Sequence, residues 1–375
     1  MSFYISEHER IGVSGIMRVK NDAQFVQQSI DSCIDALDEL IIVYNDCTDN
    51  SAALILEKQS QYPDKIKVYE YKYKVYSINL SKMEYEFAKK LPPDSPQLLC
   101  NYYNYALSKV SYKYAMKIDA DQLYFSKKLQ STCDMVREAE KMKFNFRVIL
   151  GLVFFLIYRI TSKVCTFLNI VLPIYSRLNA NNFYPYYMEF VKYMIKKDKC
   201  VLSLSGLNVY VENDEISVPL GLKNECLNIL PPMNGVGDHL IFKVSSKTYY
   251  EPFDDSFYSM MRSERYTLIE KFVYPACDLL PIGIMWFHLN MMRPNLYEKV
   301  KFIKQKHPDS FITFDEFAKG PFSKIQKRID TCMVSQAHLL YFQWLYSITS
   351  LKVNDCNTLL SFTTVSYTHL RAHET

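Results

Sequence analysis

Short apolar segments alternate with helical ones over the first 130 residues, and this alternation limits the fold more than any other feature. Residues 11–19 and 39–45 are apolar and too short for a buried helix, so each predicts a buried strand. Between them, residues 22–37 carry apolar side chains three or four positions apart, which indicates a helix. Residues 65–73 and 114–125 predict two further strands. This order is typical of an α/β fold with a doubly wound, mostly parallel central sheet flanked by helices.

Glycine and cysteine usage excludes several classes of protein. Only nine of the 375 residues are glycine, and neither G-x-G-x-x-G nor G-x-x-x-x-G-K-[ST] occurs, which argues against dinucleotide-binding dehydrogenases and P-loop NTPases. The ten cysteines include no C-x-x-C pair, so a zinc ribbon or a thioredoxin motif is excluded. Scattered cysteines and a beginning that does not resemble a secretory signal lead us to expect a cytoplasmic protein.

Three aspartates lie where predicted strands end. Asp46 follows the second strand, and Asp119 and Asp121 close the strand predicted over 114–125. In a doubly wound sheet, ligands bind at the carboxyl ends of the strands. Two carboxylates at positions i and i+2 are able to hold one Mg²⁺ or Mn²⁺ ion, which prefers oxygen ligands. A D-x-D sequence alone also fits a solvated turn, so its position after a buried strand is what favours a metal site.

Positive charge is concentrated between residues 141 and 199. This segment holds ten lysines and arginines and two acidic residues, whereas the chain as a whole carries a net charge of +4. Within it, residues 148–158 form an apolar run of eleven residues closed by Arg159, shorter than the roughly 20 residues that span a bilayer. We therefore expect an amphipathic or interfacial hairpin on an inner-membrane surface, with a buried helix pair as the alternative. The basic residues flank apolar stretches, so nucleic-acid binding is not expected.

Three segments, in order and at matching spacing, resemble one enzyme family. VYNDCTDNS (43–51) is similar to the nucleotide-sugar turn of family 2 glycosyltransferases. Residues 13–35 resemble the opening strand and helix of that family, and residues 101–122 resemble its helix, strand and D-x-D. Over roughly residues 10–130 the chain therefore resembles the GT-A fold glycosyltransferases of the family 2 type. The absence of a Q-x-x-R-W sequence, which accompanies processive synthases of the family, favours transfer of a single sugar.

The resemblance implies roles for the three aspartates. Asp46 would contact the nucleotide base of a nucleotide-sugar donor. Asp119 and Asp121 would lie at the ribose and diphosphate of the donor, with Asp121 as the direct ligand of Mg²⁺ or Mn²⁺ and Asp119 beside it. The bound metal would neutralise the leaving nucleoside diphosphate.

An inverting enzyme of this kind also needs a general base for the acceptor hydroxyl. In the family it follows the D-x-D by some hundred residues, and here Asp238, between Gly235, Gly237 and His239, is our candidate. A turn residue is the alternative for Asp238. Residues 231–244 are expected to be a loop followed by a short strand or helix. A second acidic stretch offers other candidates, which are Glu251, Asp254 and Asp255.

A late histidine is the remaining candidate ligand. His288 resembles the histidine that some GT-A enzymes use as a further metal ligand, although a histidine beside Trp286 and Phe287 also fits a packed core. The expected reaction moves one sugar, from a UDP-hexose or UDP-N-acetylhexosamine, to a glycan or lipid-linked glycan acceptor in surface polysaccharide assembly. Two other functions stay open, which are a sugar-phosphate nucleotidyltransferase and a non-enzymatic membrane-peripheral binding protein.

The same patterns divide the chain into five parts. These are a nucleotide-sugar-binding α/β half over 1–130, a basic-apolar helical insertion over 131–199, an acceptor half over 200–300, C-terminal helices over 301–365, and a tail over 366–375 whose sequence, SYTHLRAHET, is unlike the rest and predicted to be non-native.

Overall fold

The chain forms two compact units in a computed structural model that describes residues 5–78, 80–168, 170, 182–225, 227–253, 266–275, 278–349, 351 and 359. The first unit comprises Met1–Ala120 and Ile241–Asp278, and the second comprises Asp121–Leu240 and Leu279–Thr375. The domain boundaries predicted at 130, 199 and 300 stay predictions.

The strands and helices have the following bounds. The strands are β1 Val13–Val19, β2 Glu39–Tyr44, β3 Ile66–Glu70, β4 Tyr114–Asp119, β5 Gln122–Tyr124, β6 Cys200–Asn208, β7 Tyr210–Glu212, β8 Glu215–Pro219, β9 Met233–Lys243, β10 Tyr249–Phe253, β11 Ile269–Val273, β12 Asp278–His288 and β13 Phe311–Thr313. The helices are α1 Val26–Cys33, α2 Ser51–Gln61, α3 Lys82–Ala88, α4 Leu99–Leu107, α5 Ser126–Glu138, α6 Phe146–Leu168, α7 Tyr184–Lys196, α8 Pro294–Lys306, α9 Phe314–Lys319, α10 Phe322–Gln326 and α11 Gln336–Ile348.

The first unit is built on a parallel sheet with the order β3-β2-β1-β4. Its central strands are buried on both faces, as Leu40 and Val43 show with no exposed surface, because helices cover the sheet. Arg18 of β1 lies opposite Asp119 of β4, so the two strands end together. The last residues of β9 pair antiparallel with β4. The predicted α/β fold with a mostly parallel sheet flanked by helices is therefore confirmed.

A buried carboxylate fixes the beginning of β2. Glu39, 1% exposed, accepts hydrogen bonds from the hydroxyls of Ser14 and Ser111 at 2.7 and 2.6 Å and from Lys67 Nζ at 2.6 Å. Burial alone raises the pKa of Glu39, but the hydrogen bonds outweigh burial, those from Lys67 first, and hold the pKa below its ordinary value of 4.5. The ionised side chain thus links three parts of the first unit.

The strands β10 and β11 complete the first unit from a distant part of the sequence. They pair antiparallel with each other, and β10 packs on α4. Tyr250 stacks on Tyr103 with ring centroids 4.5 Å apart. Asn104 Nδ2 donates to Tyr250 O and Asn104 Oδ1 accepts from Tyr250 N, both at 2.8 Å. The side chain of Asn104 therefore hydrogen-bonds the backbone of β10 in the way that a neighbouring strand would.

The second unit is built on strands with the order β9-β6-β12-β5 and on a group of helices. All nine residues of β6 are buried. β5 pairs antiparallel with β12, which places Gln122 opposite His288. A separate three-stranded sheet has the order β13-β8-β7.

Helix α6 occupies the basic-apolar segment and continues without interruption for 23 residues. Arg159, which closes the apolar run in the sequence, and Lys163 both lie inside the helix, so the helix is longer than that run. Among the described residues it is the one helix long and apolar enough to cross a membrane, a criterion that buried core helices also meet. One third of its most apolar 18-residue window is buried within the protein.

The region around Asp238 also differs from the prediction. Residues 231–244 were expected to be a loop followed by a short element, but β9 begins at Met233 and continues for eleven residues. Gly235 and Gly237 have φ values of +80° and +75°, which are left-handed conformations within a strand. Asp254, Asp255 and the predicted non-native tail lie outside the described residues.

Candidate functional site

In the first unit, the turns after β1 and β2 are tied together by side-chain hydrogen bonds. Thr48 N donates to Asn21 Oδ1 at 2.7 Å, and Ala23 N donates to Asp49 Oδ2 at 3.0 Å. Burial raises the pKa of Asp49, but the hydrogen bonds that it accepts from Ser51 and Ala23 outweigh burial and lower it. The ionised Asp49 therefore holds two loops at the carboxyl edge of the parallel sheet in one arrangement.

Asp46 lies on the exposed surface of this edge. Its backbone is left-handed, with φ at 47°, and its Oδ2 lies 3.1 Å from Lys20 Nζ. The side chains of Asp46 and Lys20 are 66% and 49% exposed, so solvent screens this ion pair.

A group of charged and aromatic residues surrounds the end of β4. The guanidinium of Arg18 lies 3.4 Å from the ring centroid of Tyr103 and donates a hydrogen bond to its hydroxyl. Burial lowers the pKa of Arg18, but the electrostatic influence of Tyr103, Glu270 and Asp119 outweighs burial and raises it above the ordinary value. The backbone oxygen of Asp119 accepts from Ser29 Oγ at 3.2 Å, which fixes the chain at the first residue of the D-x-D. Arg18 is thus a permanent cation at this strand end.

In the second unit, the side chain of Asp121 lies beside His288, the last residue of β12, and Arg293, the residue before α8. Its side chain is 12% exposed, and its Oδ2 accepts a hydrogen bond from Arg293 Nη2 at 2.8 Å. The same oxygen lies 3.7 Å from His288 Nε2. The backbone oxygen of Asp121 accepts from Leu289 N at 2.9 Å, and this bond holds the two segments together. The structure therefore brings together two predicted metal ligands that are 167 positions apart in the sequence.

The orientation of His288 follows from its hydrogen-bond partners. Asn208 Nδ2 lies 2.6 Å from the carbonyl oxygen of Pro231, so this atom is the donor and the amide orientation is assigned. The remaining atom, Asn208 Oδ1, is an acceptor 2.7 Å from His288 Nδ1. Nδ1 therefore carries the hydrogen in the neutral imidazole, and Nε2 directs a lone pair to the side of Asp121. A histidine held through its other ring nitrogen is the arrangement that metal ligands adopt.

A second series of hydrogen bonds connects Tyr124 of β5 to His239. The hydroxyl of Tyr124 donates to Gln122 Oε1 at 2.5 Å, so Gln122 Nε2 is the donor to His239 Nε2, also at 2.5 Å. His239 Nδ1 then carries the hydrogen and lies 3.6 Å from Asp238 Oδ2. The ring of His239 packs on Trp286 with centroids 4.8 Å apart. The buried histidine is thereby fixed beside an aspartate whose side chain is 58% exposed.

Some residues of the candidate site were predicted from the sequence, and others were found only in the structure. Asp121 and His288 lie together as ligands of one ion would, and Asp238 lies at the protein surface beside His239. The roles predicted for the site residues stay predictions. Arg293 and Asn208 were missed, because neither belongs to a motif and each acts by pairing with a residue far away in the sequence.

Residues 11–158 match the model of a family described as beta-1,4-N-acetylgalactosaminyltransferase (CgtA). The resemblance to GT-A glycosyltransferases predicted from the sequence is thereby confirmed for this part of the chain. The match covers β1 to β5 and extends into α6. No curated protein matches the chain.

Two solved structures are similar to the chain, one over about a third of it and the other over most of it. Glucosyl-3-phosphoglycerate synthase from Mycobacterium tuberculosis, in complex with Mn²⁺, UDP and glucosyl-3-phosphoglycerate, is 17% identical, with a TM-score of 0.20, and covers 30% of this chain and 34% of its own. The chain thus spans about a third of the length of this enzyme. TarS residues 1–349 from S. aureus are 11% identical, with a TM-score of 0.30, and cover 96% of this chain and 92% of their own. At these TM-scores neither similarity adds to the argument.

Proposed function

We propose, from the match of residues 11–158 to a glycosyltransferase family, that the chain is a metal-dependent inverting glycosyltransferase. It moves one sugar from a UDP-sugar to a glycan or lipid-linked glycan acceptor in surface polysaccharide assembly. The observation that carries this proposal is the pairing of Asp121 with His288, whose Nε2 lone pair is fixed by Asn208. The scattered free cysteines among the described residues support a cytoplasmic reaction.

The donor set fits Mn²⁺ better than Mg²⁺. Carboxylates suit both ions, whereas imidazole is a ligand of transition metals. Asp121 and His288 supply one of each, and Asp119 is only two positions from Asp121 along the chain. A metal bound there supplies Lewis-acid stabilisation of the leaving diphosphate.

Arg293 adds a permanent positive charge beside these ligands. Its guanidinium donates to Asp121 at 2.8 Å and remains 29% exposed. Guanidinium groups bind phosphate oxygens through charge-assisted hydrogen bonds. We assign Arg293 to the diphosphate of the donor, where it orients the leaving group and balances its charge.

The two remaining roles fall on exposed aspartates. Asp46 lies on a fixed turn with a solvent-screened lysine partner, and we assign it to the base of the nucleotide. Asp238 is exposed beside the fixed imidazole of His239, and we assign it as the general base that accepts the proton of the acceptor hydroxyl. His239 Nδ1 lies 3.6 Å from Asp238 Oδ2, on the side of the aspartate that faces the protein.

The name of the matched family guides the choice of sugar. That family is described as an N-acetylgalactosaminyltransferase, and we therefore propose a UDP-N-acetylhexosamine in preference to a UDP-hexose.

Thermal unfolding of the full chain with nucleotide sugars tests the proposal. The panel contains UDP-, GDP-, CMP- and dTDP-sugars, each with and without Mn²⁺. A ligand at 100 times its dissociation constant stabilises by about 2.7 kcal/mol, which raises the midpoint by a few degrees. We expect UDP-sugars to raise it only with Mn²⁺, and Asp121→Ala to abolish the effect.

Asp64→Ala is the matched control, because Asp64 is an exposed carboxylate of the first unit. Stabilisation by nucleoside triphosphates and not by nucleotide sugars would instead indicate a nucleotidyltransferase. Unchanged stabilisation in Asp121→Ala would contradict the metal site. No stabilisation by any nucleotide would indicate a non-enzymatic binding protein.

A further inference from the structure

Helix α6 separates its side chains into two faces of opposite character. One face is buried against the protein and contains Val148, Gly151, Phe154, Phe155, Thr161 and Cys165. The other face is apolar and exposed and contains Ile149, Leu152, Val153, Leu156, Ile157, Ile160, Val164 and Phe167. The exposed fractions on this face range from 38% at Leu152 to 89% at Phe167. Contiguous apolar surface of this extent on a protein marks an interaction site.

The buried face is held by aromatic contacts with two other helices of the second unit. The ring centroid of Phe154 lies 4.9 Å from that of Trp344 in α11, and the ring of Phe155 lies 5.7 Å from that of Phe190 in α7. Tyr158 continues the contact, with its ring 4.4 Å from Trp344. A helix packed in this way cannot be surrounded by lipid without losing these contacts. The exposed face is therefore suited to lie along a surface and not to cross a bilayer.

The charges on α6 indicate what covers the apolar face. The helix contains no acidic residue, and Arg147, Arg159 and Lys163 are exposed. Arg159 and Lys163 are one helical turn apart and continue the row formed by Leu152 and Leu156, so they border the apolar face. A second copy of the chain would bring like charges together there. An anionic lipid surface matches both the apolar face and its basic border.

We propose that α6 lies in the plane of an anionic membrane, with its exposed face inserted between the headgroups of one leaflet. At 1.5 Å per residue, its 23 residues would extend about 34 Å along the surface. Arg159 and Lys163 reach the lipid phosphates while their neighbours on the apolar face contact the acyl chains. This inference does not depend on the catalytic assignments made above.

Sedimentation of the full chain with vesicles tests the proposal. The vesicles contain either phosphatidylcholine alone or an equal mixture with phosphatidylglycerol. We expect strong binding to the anionic vesicles, weaker binding to the neutral ones, and a decrease with salt. The double variant Leu156→Gln/Ile160→Gln should weaken binding to anionic vesicles about tenfold or more, because both apolar side chains are removed from the inserted face.

The matched control is Leu56→Gln, a leucine on α2 that is 48% exposed compared with 44% for Leu156. A second variant, Arg159→Glu/Lys163→Glu, replaces exposed side chains only and should abolish the preference for anionic lipid. Circular dichroism and the unfolding midpoint establish that each variant is folded.

Three results would overturn the proposal. These are equal weakening by Leu56→Gln, absence of wild-type binding to both kinds of vesicle, and a stable dimer that the α6 substitutions dissociate while vesicle binding is unaffected. Resistance of natively expressed protein to alkaline carbonate extraction would show instead that the helix spans the membrane.

Discussion

Asn208 Oδ1 accepts a hydrogen bond from His288 Nδ1 at 2.7 Å, and this contact decides which ring nitrogen of His288 faces Asp121. The asparagine is itself held by its bond to the carbonyl oxygen of Pro231. The three groups form a line in which a backbone carbonyl orients an amide, and the amide orients an imidazole. This arrangement predicts that Asn208 influences the affinity of the protein for a metal, although Asn208 would not contact the metal itself.

Substitution of Asn208 by alanine should weaken Mn²⁺ binding by about 10- to 100-fold, which is the usual effect of removing the partner of a metal-binding histidine. The imidazole then rotates or changes its tautomer. Isothermal titration of the full chain with Mn²⁺ measures the change. Asn295→Ala, at an exposed position on α8, should have no effect. Equal affinities in the wild type and Asn208→Ala would exclude His288 as a ligand.

Substitution of Arg293 by glutamine should raise the Mn²⁺ affinity of the nucleotide-free protein about tenfold. The guanidinium donates to the carboxylate that we assign to the metal, and removing a positive charge at that distance favours binding of a cation. The same variant should bind UDP more weakly, since one phosphate partner is lost. The matched control is Arg328→Gln, an exposed arginine paired with Glu316. A fall in metal affinity would contradict this role.

Substitution of Glu39 by glutamine should destabilise the protein by about 1–3 kcal/mol at neutral pH, because buried donors lose their charged acceptor. The pKa of Glu39 is lowered in the folded protein. Its contribution is therefore present above the unfolded pKa of about 4.5 and is lost as the pH falls through the folded pKa. Urea unfolding at neutral pH and at successively lower pH measures this, and the difference between wild type and variant should shrink in acid. A difference that is independent of pH would contradict the assignment.

Substitution of Gly206 by alanine should destabilise the second unit by about 1–3 kcal/mol through overpacking. A Cβ atom at this position would clash with Trp286 Nε1 and would lie 2.5 Å from Asn234 Oδ1. The glycine is thus required by close approach of the indole to β6. Thermal unfolding measures the loss, and adding Trp286→Phe should recover part of it, because the smaller ring leaves room for the methyl group. Full stability of Gly206→Ala alone would show that the contact relaxes.

The sequence was most informative where strands are buried on both faces. β1 and β2 were predicted within two residues at each end, since continuous apolar runs bounded by polar residues leave little choice. β9 was missed because Gly235 and Gly237 resemble loop residues, although here they adopt left-handed conformations within a strand. The continuity of α6 was missed because Arg159 ends the apolar run of residues 148–158. A charged residue is tolerated there since it lies on the exposed side of the helix.

The candidate site was only partly accessible from sequence. Asp121 and His288 could be predicted as ligands one at a time, each through a resemblance. Their proximity depends on the pairing of β5 with β12, which joins segments far apart in the chain. Arg293 and Asn208 have no local signal, because their effect depends entirely on the side chains that this pairing brings near them.

The contact of α4 with β10 has a consequence for synthesis of the protein. Asn104 and Tyr103 are translated early, yet their partner Tyr250 is translated almost 150 positions later. At about 5–20 residues per second, the nascent first unit waits for several seconds or longer with this side of α4 uncovered. During that interval the ribosome releases Asp121–Leu240, which belongs to the other unit. The time taken to synthesise residues 121–240 therefore sets how long the first unit stays incomplete, although those residues do not belong to it.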